Sequence, residues 1–503
     1  MIKRLLFFFC PFLAQAQIEV KPVQLFTEVG GFYGTSTQTP FWLRSNQFGV
    51  VPTSLPYATL RAGVRRDVRY YSTADTLPAK RRNFFGVGYG LDVIGNVASG
   101  GQTALLVPEA YVNMRVGALE LVGGRRREVV GLVDSTLSSG SYSWSGNALP
   151  MPKIQVGLSE YTSFPFKNGL LAFRGFLAHG WFDNRSIVRN AYLHQKALYA
   201  RLGKPNWRIK LYAGFNHQVE WGGTTRDLTE GLVKNGRLPA SAEAFYYMMI
   251  GKSLGAQTAG VDTTYYSRFD RENRIGNHLG TIDLGFEYST KRISILLYRQ
   301  SIFEDGSLFY GTNLEDGLNG IRFRNLNPAS SGFRITGAVA EFLYTKGQGG
   351  SQFLDADLLR GRDNYFNHSQ YRNGWSYQGN GIGTPFITPM TDSRPDLPRY
   401  GFFVNNRVRA YHAGLHGGFG RQATFLVKVS YSQNYGTYEM PFAQTVEQFS
   451  SLLQLGIPLN QSGLLATVSA AADQGGLFPN SNAIYAGIRK TWDYYKYRVG
   501  RAR

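Results

Sequence analysis

Side-chain polarity alternates with a period of two along much of this chain. In Gly280 to Gln300, GTIDLGFEYSTKRISILLYRQ, Ile282, Leu284, Phe286 and Tyr288 alternate with Thr281, Asp283, Gly285 and Glu287. Neighbouring side chains of a strand point to opposite faces, so this run predicts a strand with one apolar and one polar face. Thr290 and Lys291 mark a turn, and the chain returns with Ile293, Ile295 and Leu297 at the same period. A polar, aromatic, glycine-rich stretch follows, and it reads as one long loop up to the next strand-like run near Phe333. A short turn on one side and a long loop on the other is how a transmembrane β-barrel is strung. A half-buried strand of a soluble sandwich alternates in the same way, so the rest of the chain decides.

The signal recurs. Phe85, Val87, Tyr89, Leu91 and Val93 alternate with Gly86, Gly88, Gly90 and Asp92, leaving one face almost bare for a close neighbour or for strong curvature. Comparable runs start at Ala110, Ile154, Leu171, Leu198, Ile209, Phe333, Val404, Ala423, Leu453, Leu464 and Ile484. A strand count in the high teens follows. About ten residues per tilted strand cross a membrane, so loops take more than half of the chain. Two stretches read as helical instead. Ser241 to Leu254 follows Pro239 and ends before Gly255, and Val446 to Leu455 is the weaker pattern.

Composition supports a closed sheet. The 503 residues include 59 Gly, 34 Phe and 31 Tyr, with 17% charged residues, and the mean hydropathy is −0.23. A lipid-facing barrel needs apolar residues only at alternate positions. No run after Ala16 is long and apolar enough for a membrane-spanning helix. An array of soluble β-sandwiches is the competing architecture, but neither linkers nor a repeat period is visible.

The first residues, MIKRLLFFFCPFLAQAQ, combine Lys3 and Arg4, a short apolar core and the Ala14-Gln15-Ala16 cleavage pattern, so residues 1–16 are expected to be a signal peptide. Cys10, the one cysteine, lies inside it. Residues 17–83 are expected to give the first strand and a plug, and residues 84–503 the barrel proper, with both in one domain. The formal charge is +20. Such a field draws polyanions. In an exported protein these are lipopolysaccharide and acidic polysaccharide rather than nucleic acid.

Catalytic chemistry finds little support. Gly251-Lys252-Ser253 recurs in phosphate loops, but Tyr246 stands where the loop needs glycine. His412 and His416 would lie about 13 Å apart on a strand and cannot share an ion. No enzyme activity, metal site or cofactor is expected. The informative loop is Asp363 to Pro389, DNYFNHSQYRNGWSYQGNGIGTPFITP. Tyr365, Tyr371, Trp375 and Tyr377 can stack on sugar rings, while Asn367, His368 and Arg372 can bind hydroxyl and acidic groups. These seven are the candidate polysaccharide-binding residues. The bland alternative is a loop that folds on itself with the aromatics as its own small core.

Several of these segments resemble the Wzi family of capsule assembly proteins. The resemblance lies in TPFWLRSNQFG (Thr39 to Gly49), SGNALPMPKIQVG (Ser145 to Gly157) and FRGFLAHGWF (Phe173 to Phe182). It continues through Tyr192 to Gly223, Glu304 to Ile321 and Asp363 to Ile387. It implies an outer-membrane barrel of about 18 strands, a helical plug on the periplasmic side, and lectin-like holding of capsule polysaccharide. The fold class expected here is therefore all-β, a transmembrane antiparallel β-barrel with long extracellular loops. Its expected partners are surface polysaccharide, outer-membrane lipid and lipopolysaccharide, with the chain a monomer. A porin-like channel for anionic solutes is the alternative function, and a soluble secreted adhesin is a third. One structural expectation is sharp: arginine at lipid-facing Leu284 should be damaging, and arginine at lumen-facing Asp283 far better tolerated.

Overall fold

The computed structural model describes residues 23–68, 85–99, 101, 103–163, 169–251, 254, 264–304, 306–352, 361–460 and 462–494. The expected signal peptide lies outside them, as do Lys252 and Ser253. Eighteen strands form one antiparallel sheet in which chain neighbours are sheet neighbours. The first strand, Val23–Gly34, pairs with the last, Ser481–Tyr494, in a register that sets Val29 opposite Ile488. The sheet is closed and has no edge, as a structure in hydrocarbon requires.

Alternation works here with the sense opposite to that of a soluble sheet. On the strand Asn277–Ser289, Leu284 is 57% exposed and Ile282, Phe286 and Tyr288 are also exposed, while Asp283 is fully buried. Leu121, Val156, Leu211, Leu297, Ile321 and Leu453 repeat the pattern around the barrel. Apolar side chains thus cover the outer wall and polar ones fill the interior, which is the arrangement of a barrel in lipid. A concavity of about 960 Å³ is lined by Leu284, Phe286, Leu297 and Ile321. It lies on this outer wall, where acyl chains pack, so it is no ligand site.

The bare face of Phe85–Ala98 has a local cause. A Cβ on Gly90 would sit 2.5 Å from the Tyr111 ring, and one on Gly88 would sit 2.3 Å from Asn113 Oδ1. These glycines make room for side chains of the next strand, Thr103–Val116.

Two expectations about secondary structure are corrected. Val446 to Leu455 is part of the strand Pro441–Pro458, with Phe449 and Leu453 outward and Gln448, Ser450 and Leu452 buried inside. Ladder bonds on both sides, with Ser450 opposite Ser430 and Asp473, override the local helical pattern. The long loop expected after Gln300 contains a further strand, Gly317–Asn325, paired on both sides. Arg322 and Arg324 face the lumen there and reach Glu287 and Asp134. Those inward charges made it read as a loop. The first helical expectation does appear, as Ala242–Ile250. Ser241 accepts a capping bond from Ala244 N, and Gly251 ends the helix in the left-handed region. Its Ala244 and Met248 pack on Val219 and Trp221, which alternate with lumenal Gln218 and Glu220 and so lie outside the wall.

The longest connections sit at one end. Residues 126–152, 222–276 and 345–407 lie there, while tight turns such as 117–118, 290–292 and 420–422 lie at the other, with both described chain ends. In outer-membrane barrels the long-loop end faces outward and the tight turns face the periplasm.

Candidate functional site

What occupies the lumen decides what this barrel can do. Residues 126–152 leave the wall at the long-loop end and plunge inward, where side chains of the strands receive them. Asp283 accepts a bond from Leu132 N at 2.8 Å, and Gln300 one from Tyr142 N at 2.9 Å. Glu341 accepts from Ser138 Oγ at 2.7 Å and from Ser139 N at 2.6 Å. His412 and Lys428 bond to the carbonyls of Leu137 and Ser138. His412 thus serves the plug, and His416 bonds to Thr336 elsewhere on the wall. The loop is anchored at its root as well. Burial works to raise the Glu128 carboxyl, but Lys153 and Arg126 outweigh it and hold it at about 2. A plug bonded by buried charged and amide groups is rigid, because each bond broken would leave a desolvated partner.

Residues 35–56 add a second inward piece around one helical turn, Phe41–Arg44. Trp42 Nε1 donates to Ser430 Oγ at 3.1 Å, and Phe41 N donates to Asp473 at 2.7 Å. Among the described residues this is the part of segment 17–83 that enters the lumen. Among the described residues the plug is loop structure entering from the long-loop end, not the helical periplasmic plug that the family resemblance implied. Residues 69–84 lie outside the described set.

Over this plug lies the loop singled out by sequence. Tyr365, Tyr371, Trp375 and Tyr377 are all buried. The Tyr365 hydroxyl donates to Asp316 Oδ2 at 2.8 Å, and the Tyr371 hydroxyl donates to the Gly222 carbonyl at 3.1 Å. The Arg125 guanidinium donates to the Tyr377 hydroxyl at 3.1 Å. Phe366 packs edge-on against Tyr142 of the plug, 5.4 Å between ring centres. Asn367 brackets the Phe403 backbone, donating to its carbonyl at 2.9 Å and accepting from its N–H at 3.1 Å. His368 Nδ1 accepts from Gln370 N, and burial pushes this imidazole down to about 4, so it is neutral. Of the seven candidates only Arg372 is exposed. The expectation that these aromatics present stacking faces outward is corrected: they are the core of a lid closed over the plug, the bland alternative named above.

The aromatic faces at this end that meet solvent are others. Phe309 is 85% exposed and Tyr400 59% exposed, with Tyr310 beside Phe309 in an edge-on pair. Gly401 packs against the Asn367 side chain, which places Tyr400 on the lid. Sequence reasoning passed over them. Phe309-Tyr310 lies in the segment Glu304 to Ile321 noted for its family likeness, but Tyr400, after two prolines, carries no pattern that marks it. Among the described residues no three His, Cys, Asp or Glu side chains converge as a metal site.

Fold and site together define a closed, plugged and lidded 18-stranded β-barrel of the outer-membrane type. Neither a protein-family model nor any curated protein matches the sequence. Among solved structures the chain is similar to Wzi, an outer membrane protein involved in group 1 capsule assembly in Escherichia coli and a carbohydrate-binding β-barrel. The two are 14% identical with a TM-score of 0.53, over 92% of this chain and 83% of Wzi. OccK5 of Pseudomonas aeruginosa matches 96% of this chain and 100% of its own, at 10% identity and a TM-score of 0.47. OccAB4 of Acinetobacter baumannii matches 95% and 100%, at 8% identity and a TM-score of 0.45. At these identities the likeness is one of fold.

Proposed function

We propose that this chain is an outer-membrane protein that binds polysaccharide at the cell surface, performs no chemistry on it, and assists capsule assembly or attachment. The observation that carries the reading is the lumen. Its long loops are spent on a hydrogen-bonded plug and an aromatic lid, which suits a surface for holding a ligand better than a pathway for passing one. The carbohydrate binding of Wzi supports the ligand class, and the basic charge supports an acidic polymer. The binding groups are then those the lid leaves outside: Phe309 and Tyr400 as stacking faces and Arg372 as a cation.

The test uses purified protein on a glycan array, together with capsule retention by cells carrying the variants. Phe309→Ala with Tyr400→Ala is expected to lower glycan binding by about tenfold or more, at about 1–3 kcal/mol of lost contact per ring, with the barrel still assembled. Arg372→Ala should flatten the salt dependence of binding to an acidic glycan. Glycan binding equal in wild type and the double aromatic variant would overturn the surface assignment. A wild type that binds no glycan would overturn the function.

A further inference from the structure

Beneath the plug, at the tight-turn end of the lumen, lies a feature that surface binding does not use. A cavity of about 510 Å³ opens there, with Arg115, Gln155, Arg174 and Tyr199 in its lining. A volume of this size suits a small molecule. The lining is rich in charge, and its carboxylates are occupied. Asp67 pairs with Arg65 at 2.7 Å, and Glu128 with Lys153 at 2.6 Å and Arg126 at 2.7 Å. Glu120 lies 3.3 Å from Arg126, Glu160 lies 3.6 Å from Arg115, and Glu109 accepts from Arg127 N at 3.3 Å.

Arg174 is different. Among the described residues no carboxylate lies within ion-pair distance of it. Its guanidinium is held instead over two rings, 5.0 Å from the centre of Tyr199 and 5.3 Å from that of Tyr161. Arg201 also lies over Tyr161, 5.7 Å from the ring centre, and among the described residues no carboxylate is within ion-pair distance of it. The neighbouring Arg115 side chain is 5% exposed, and its Nε and Nη1 lie 3.6 Å from Glu120 and Glu160 without a hydrogen bond to either. A guanidinium without a counter-charge, lining a cavity whose carboxylates are all engaged, makes a site that lacks an anion. The aromatic clamp fixes the Arg174 plane, which is what forked recognition of an oxyanion needs.

We propose that this cavity binds a small molecule bearing an oxyanion, a carboxylate or a phosphate on a sugar-sized body, with Arg174 as its pairing cation. A cation is disfavoured because each lining carboxylate is already engaged. The plug, whose Val129 and Val130 line the cavity, closes it toward the long-loop end, so it is no stage in conduction. The inference does not rest on the surface-binding reading.

Calorimetry on the full-length, detergent-solubilised protein tests it, with glucuronate and glucose 6-phosphate as the two anionic probes and glucose as the neutral one. At least one anion is expected to bind, more weakly as salt rises, and glucose is expected not to bind. Which anion binds fixes the carboxylate or the phosphate. Arg174→Gln should weaken that binding about 10–100-fold, as loss of a charged hydrogen bond does, while Arg226→Gln, exposed in the 222–276 connection, leaves it unchanged. Arg174→Lys keeps the charge but not the fork, and should bind roughly tenfold more weakly than wild type. It keeps the test open if Arg174→Gln does not assemble. The proposal is overturned if neither anion binds, if glucose binds equally well, or if the Arg174 variants bind the anion as tightly as wild type.

Discussion

Asp283→Arg is expected to unseat the plug, at a cost of about 3–5 kcal/mol. The carboxylate is fully buried and accepts bonds from Leu132 N and from Gln300 Nε2, each at 2.8 Å. A guanidinium in its place meets two donors instead of two partners and has no water to turn to. Leu284→Arg, one residue along, fails for another reason. Its side chain faces hydrocarbon, where a cation near the midplane costs about 2–4 kcal/mol. The two variants should therefore both assemble poorly and yet differ. In lipid refolding, Leu284→Arg should lower the folded fraction with the plug intact, whereas Asp283→Arg should yield barrels whose 126–152 segment exchanges its amides quickly. Tolerance of Asp283→Arg far better than that of Leu284→Arg, the expectation from sequence alone, would show that the plug is not held at this point.

The second large effect lies in the lid. Trp375→Ala together with Tyr371→Ala removes two buried rings, one of which also loses a bond to the Gly222 carbonyl. Truncating a buried Trp typically costs about 3–5 kcal/mol. The lid should loosen, so residues 361–407 become sensitive to added protease from the long-loop side. The barrel should still fold, because strand pairing all the way round holds it independently of the lid. Protease resistance equal to wild type would mean that these rings are not the lid's core.

How far the sequence could be read depended on which face a residue serves. The hairpin Gly280 to Gln300 was legible because its outward residues are uniformly apolar, and lipid imposes that demand on every strand. The strand Gly317–Asn325 was hidden because its lumenal positions carry Arg322 and Arg324, which look like loop chemistry. Val446 to Leu455 misled by local preference, which the ladders on both sides overrode. Asp283 shows the same limit at one residue: alternation told which way it points but not what it would meet there. The loop Asp363 to Pro389 was the hardest case. Aromatics mixed with amides make either a sugar-binding face or a self-packed lid, and composition does not say which side of the ring meets water. Only the partners of Tyr365, Tyr371 and Asn367 decide that.

If inward-folded loops close this barrel, single-channel recording in planar bilayers will show it. Wild-type protein should insert without steady current, while a variant in which a short Gly-Ser linker replaces residues 131–144 should conduct. A steady open-channel current through the wild type, or silence from the linker variant, would contradict it.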